Sequence, residues 1–216
     1  MTRDAATRDR LITAASRLFG KEGYRRVTVR EICREAKANV AAVNYHFGDK
    51  LGLYREVVDQ AIAVIRGGAA AAREGGAGLS AEDRLRHYVH AWLTQLLGGA
   101  DTHAWIHGIM SHEMSEPTTE APRIGREAIR PRIEYLSAII AEILECPATD
   151  PRVRRGTMAV QSHCLWYGRL PHIQEFARAA FPDWPNELED GLAPLADYIA
   201  EFSLAGIRAQ IPTVSR

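Results

Sequence analysis

Residues 26–50 read RVTVREICREAKANVAAVNYHFGDK, and the fold turns on this stretch. The pattern predicts two short helices joined by a tight turn. Thr28 stands where its hydroxyl can accept from the free N–H groups of a first helical turn. Val29, Ile32, Cys33 and Ala36 then follow at i, i+3, i+4 and i+7, which is one apolar face. Lys37-Ala38 forms the turn, and Asn39 is placed to cap a second helix. Val40, Val43 and Phe47 give that helix an inward stripe, leaving Ala41, Ala42, Asn44, Tyr45 and His46 outward or on its flanks. Such a face suits the DNA major groove. Alanines permit close approach and meet a thymine methyl, and Asn bonds adenine through two hydrogen bonds. The expected element is a helix-turn-helix whose second helix reads DNA.

Working outward, a preceding helix carries Leu11, Ala14, Ala15, Leu18 and Phe19 on one face, with Gly23 as its stop. Arg3, Arg8 and Arg10 form a basic lead-in that either touches DNA or frays into solvent. Asp49 can cap a long fourth helix, which loses definition at Gly67-Gly68 and ends in the glycine run 75–78. Ser80 to Asp83 reads as a capping-box-like start for a fifth helix with Leu85, Tyr88, Val89, Trp92, Leu93, Leu96 and Leu97 inward. Helices follow over about 102–114, on to about 144 with Pro131 kinking or dividing the run, over 152–167, and over 192–209. Residues 170–185 read as irregular. No stretch alternates with period two for long enough to make a strand, so the expected fold is all-α. It comprises a helix-turn-helix domain over 1–50, a connecting helix over about 49–73, and a helical regulatory and dimerisation domain over 74–216.

Net charge is zero over 216 residues, yet residues 1–50 hold 11 Lys/Arg against 6 Asp/Glu and the remainder 16 against 21. A basic head on an acidic body suits a protein that sets one end on phosphate. Cys33, Cys146 and Cys164 are widely spaced with no CxxC, which predicts no disulfide framework and a reducing compartment. With no signal-peptide pattern and no apolar run of membrane-spanning length, the expectation is a cytoplasmic protein.

At 36–50 the chain resembles the TetR family of transcriptional regulators. The family pattern runs roughly Ala-Gly-Val-Ser, a small residue, Gly-Thr-Leu-Tyr, two aromatic or polar residues, Phe, two more, Lys. Here it stands as Ala36-Lys37-Ala38-Asn39, then Val40 to Phe47, Gly48, Asp49 and Lys50. Lys37 replaces the glycine that eases the turn, which predicts a non-glycine residue at an unfavourable dihedral. Asn44 replaces a common Tyr, so a base preference does not carry over. The DNA-contacting set expected is Thr28, Arg30, Lys37, Asn39, Ala41, Ala42, Asn44, Tyr45, His46 and Lys50, the last matching the family lysine that meets backbone phosphate. Ser111 to Thr118, Ile129 to Glu134, Cys164 to Tyr167 and Phe202 to Gly206 resemble the regulatory domain of the CecR-type branch. The resemblance implies a homodimer on a palindromic double-stranded operator, paired through the last two long helices, repressing until a small molecule releases it.

For that molecule the sequence offers Trp105, Met110, Trp166 and Tyr167 as walls, Cys164 beside them, and Glu113 with Arg132 either as a polar end or as a buried ion pair. A metal- or redox-responsive alternative uses His103, His107, Met110 and Cys164, since His103, His107, Met110 and Met114 fall on one helical stripe. A helical enzyme is the remote alternative. Ser111, His112 and Glu113 are consecutive, so on a helix they diverge and cannot form a catalytic set. No catalytic residue, metal site or cofactor is expected.

Overall fold

In the computed structural model, which describes residues 3–97, 100–168, 179–180 and 191–211, the chain is all-α, with no strand among the described residues. Its contacts gather into two units, Met1–Arg66 with Gly99–Ile129, and Gly67–Gly98 with Arg130–Arg216.

The first unit is built on α1 (Arg3–Glu22). Leu11, Ala15 and Phe19 fall on one face and are fully buried, meeting Ile32 of α2 (Val29–Glu35), Val43 of α3 (Val40–Phe47) and Leu53, Tyr54 and Val57 of α4 (Lys50–Gly75). Phe19 sets its edge on the Tyr54 ring, centres 5.0 Å apart. The expected stop at Gly23 is present, with a φ of +83° that an L side chain rarely adopts. α5 (Ala81–Leu97) belongs to the second unit, but α6 (Ala100–Ser115) packs on α1. The reason is a pair of glycines. A Cβ on Gly108 would lie 2.0 Å from the Gly20 carbonyl oxygen, so the two backbones touch where no larger residue fits. Residues 99–129 thereby group by contact with residues 1–66 in the first unit.

α4 runs unbroken through Gly67-Gly68 to Gly75. The alanines at 69–72 sustain the helix where glycine alone would loosen it. After α7 (Ala121–Ile124), residues Gly125–Ile129 form a π-helical turn that leads into α8 (Arg130–Ile143). Pro131 accounts for it: proline has no N–H to donate and its ring crowds the carbonyl four residues back, so the helix widens there.

The second unit has a core from α5 (Leu85, Tyr88, Val89, Trp92, Leu93), α8 (Leu136, Ile139, Ile140), α9 (Pro151–Gly168; Val153, Val160, Cys164) and α10 (Leu192–Arg208; Leu195, Ile199, Leu204). The expected cap of α5 is formed, the Ser80 hydroxyl donating to Asp83 Oδ2 at 2.7 Å and accepting from its N–H at 3.2 Å. No helix among the described residues is long and apolar enough to cross a membrane. The aromatic stretch 170–185 lies outside the described residues, save Ala179 and Ala180, which are helical.

Candidate functional site

Each helix of the reading pair is fixed at its start by a side chain. Thr28 Oγ1 accepts from Glu31 N–H at 3.3 Å, and Glu31 Oε2 accepts from Thr28 N–H at 2.8 Å, a reciprocal capping box. At the far end of α2, Lys37 N–H donates to Arg34 O at 3.3 Å and Ala38 N–H to Cys33 O at 2.9 Å. That is the Schellman arrangement, which sets its C′ residue left-handed. Lys37 has φ +50°, as the missing glycine predicts. Asn39 Oδ1 then accepts from Ala41 N–H at 3.0 Å and caps α3. The reading helix is thus aimed by local bonds over its first turn.

Val43 at 0% exposure anchors α3, and Ala42 turns partly inward with it against the core. Ala41 and Asn44 are exposed, and Tyr45 is 77% exposed. Thr28, Arg30, Lys37 and Asn39 are exposed along the same pair. Val40 and His46 depart from expectation. Val40, expected inward, is 40% exposed, because the first residue of α3 precedes the stripe set by Val43. Ala42, expected outward or on a flank, is half-covered. His46, expected at phosphate, has a side chain only 8% exposed, its Nε2 turned to Asp4 at 3.4 Å. Lys50 is half-buried, its ammonium 4.4 Å from the Tyr24 ring centre. Burial lowers the Lys50 pKa and the Glu31 charge opposes that. In the lead-in, Arg8 is held by Glu56 and lies over the Phe47 ring. Arg10 bonds Thr7 at 3.2 Å. The side chain of Arg3 lies outside the described residues.

The expected ligand set is divided between the units. Trp105 packs on the backbone of Gly20, and Met110 packs against the first unit's core. Glu113 is buried in that unit and accepts from Tyr54 Oη at 2.5 Å, Thr118 N at 3.0 Å and Thr118 Oγ1 at 2.7 Å. These hydrogen bonds are made within the first unit. Arg132 lies over the Trp92 ring in the second unit, 4.2 Å from its centre. Cys164 is buried in that same unit, while Trp166 is 51% exposed and cannot wall an interior pocket. Tyr167 is half-buried against the core. The metal stripe divides likewise: Met110 belongs to the first unit and Cys164 to the second, and His107 stays with α6. The His103 side chain lies outside the described residues. Among the described residues no three His, Cys, Asp or Glu side chains gather as a metal would need.

Tyr88 and Trp92, beside Arg132, are absent from the sequence-based set. Their signal was an aromatic pair at i, i+4 on the inner face of α5.

This geometry defines a class: a two-unit helical regulator whose first unit presents a helix-turn-helix to DNA. The comparisons name the family. Residues 11–57 match the model of bacterial regulatory proteins of the tetR family. Residues 81–207 match that of the C-terminal domain of the HTH-type transcriptional dual regulator CecR. The chain belongs to the TetR family of DNA-binding transcriptional regulators and carries a CecR-type C-terminal domain; it is not an enzyme. A probable HTH-type transcriptional regulator, YttP, from Bacillus subtilis (strain 168) is 38% identical over 55 residues, 26% of this chain and 27% of the relative's length. A TetR-like transcriptional regulator from Rhodococcus sp. RHA1 superimposes with TM-score 0.65 at 18% identity, covering 95% of this chain and 99% of that one. A TetR-family transcriptional regulator from Streptomyces coelicolor gives TM-score 0.61 at 18% identity over 96% of both chains. These two show the shared fold.

Proposed function

We propose that this regulator acts in the cytoplasm as a homodimeric repressor on a palindromic operator and is released by a small molecule bound in its second unit. The observation that carries the reading is the bare face of α3, with Ala41, Asn44 and Tyr45 exposed on a helix capped at both ends. Asn44 would read adenine, Ala41 would give close approach, and Thr28, Arg30, Lys37, Tyr45 and Lys50 would hold phosphate. His46, turned toward Asp4, would keep the helix in place rather than touch DNA.

Pairing through α9 and α10 is supported by what these two helices leave uncovered. Val160, Cys164, Leu195 and Ile199 close the core of the unit itself. Met158, Leu165 and Trp166 of α9 and Tyr198 and Phe202 of α10 remain 38–55% exposed. Large apolar residues left uncovered on two adjacent helices suit an isologous contact with a second copy. A ligand would bias the second unit toward one arrangement, and α4, continuous from Lys50 to Gly75, would carry that bias to the reading pair.

Selection of bound DNA from random sequence tests the reading. A palindrome with two half-sites is expected, together with a dimer in sedimentation that Phe202→Asp splits. A monomer in solution with single half-site recognition would refute the dimeric reading.

A further inference from the structure

α8 sends Leu136, Ile139, Ile140 and Ile143 into the core of the second unit. One turn earlier on the same stripe stands Arg132. A guanidinium facing inward is costly unless it is paired. Here Nε is enclosed without a hydrogen-bond partner, and so is Trp92 Nε1 beneath the same guanidinium. The groups beside Arg132 that can become anionic are the Tyr88 phenol and the Cys164 thiol. Burial pushes both up, the thiol to about 12, so neither carries charge near neutral pH. The Tyr88 hydroxyl accepts from Gln161 Nε2 at 3.0 Å, which leaves its own proton for another acceptor. The unit therefore holds a cation, two donors without acceptors and aromatic faces, and among the described residues no carboxylate pairs with the cation.

We infer that Arg132 anchors a binding site for a planar organic carboxylate among α5, α8 and α9. The guanidinium offers such a group two parallel N–H donors. Tyr88 and Trp92, core residues with ring centres 5.9 Å apart, give the guanidinium an apolar aromatic surround that suits an aromatic acid better than an inorganic anion. Arg132 is only partly covered, so a small ligand has a way in. The inference rests on the ligand-responsive reading above for its regulatory meaning and names the chemical class of that ligand.

The test uses the full chain and three probes: benzoate, its neutral analogue benzamide, and inorganic phosphate. Benzoate is expected to raise the melting temperature and to bind about tenfold or more tightly than benzamide by calorimetry. Arg132→Met should abolish that preference and melt no lower than the parent, because it removes an inward-facing cation whose Nε is enclosed without a partner. Should the variant fold poorly, Arg132→Lys keeps the charge, loses the fork, and should lose most of the preference. Equal binding of benzoate and benzamide overturns the site, as does phosphate matching benzoate or either variant retaining the preference. Operator affinity measured alongside separates the two claims: benzoate that binds through Arg132 without releasing DNA upholds the site and refutes the effector role.

Discussion

Lys37→Gly should raise stability while lowering operator affinity. Lys37 occupies the left-handed C′ position of a Schellman turn at φ +50°. That conformation costs an L residue about 1–2 kcal/mol. Glycine escapes the strain but returns about 0.4–1 kcal/mol through the greater freedom of the unfolded chain. The net gain is therefore about 0–1.6 kcal/mol, centred near 0.8, which in a chain of this size lifts Tm by about 2–3 °C at the centre of that range. The DNA end moves the other way. Loss of one phosphate-contacting cation should reduce the salt slope of operator binding by about 0.9. The second unit contains a control. Glu145 has φ +49°, with Glu145 N–H to Glu142 O at 3.2 Å and Cys146 N–H to Ala141 O at 3.0 Å. It is the same turn with no DNA nearby in the proposed reading. Glu145→Gly should stabilise by a similar amount and leave operator affinity alone. Urea and thermal melts followed by circular dichroism, with fluorescence anisotropy on operator DNA across salt, measure both. If both variants melt lower than the parent, the strain argument fails. If only Lys37→Gly does, the lysine side chain stabilises by contacts that outweigh its backbone.

Asn44→Ala is expected to cost about 1–3 kcal/mol at a single base position in a binding-site selection. Lys50→Ala should weaken all sequences alike; an unchanged position-specific preference in Asn44→Ala refutes its readout. Gly108→Ala should separate α1 from α6, since the new methyl would sit 2.0 Å from the Gly20 carbonyl oxygen. The expected cost is about 1–3 kcal/mol, and a rise in Tm from the better helix former would show that the crossing yields easily. Burial pushes the buried Glu120 carboxyl up, but hydrogen bonds and charge from Arg55 and Arg123 outweigh it and hold the pKa below the usual range. A carboxylate held low stabilises above its unfolded pKa, about 4.3, and loses that contribution as pH falls through the lower folded value. Urea melts should show the parent more stable than Glu120→Gln near neutral pH, the gap closing below about pH 4; a gap independent of pH refutes the charge argument.

What the sequence carried and what it withheld divide along a physical line. Caps, turn and inward stripe act over four residues or fewer, so Thr28, Asn39, Val43 and even the strained Lys37 could be read from neighbours in the chain. Pro131 was likewise local, and the widened turn before it is one of the outcomes its missing N–H allows. The ligand set was assembled across long separations by residue type alone, which the sequence cannot check. Glu113 found Tyr54 and Arg132 found Trp92, partners 59 and 40 positions away, and periodicity carries no information about such pairings. The pairing faces of α9 and α10 are hard to separate in the sequence for a related reason. A helix packed within its own unit and also facing a partner has two apolar faces, and counting i, i+3, i+4 finds the richer one. Val160, Leu195 and Ile199 won that count because the monomer core needs them. Met158, Trp166 and Tyr198 lie on the poorer face, which only burial distinguishes, and Phe202, on the stripe that periodicity counts, is exposed with them. Mutating the buried stripe would therefore unfold the unit before it reported on pairing, so the oligomeric state has to be tested on the exposed one.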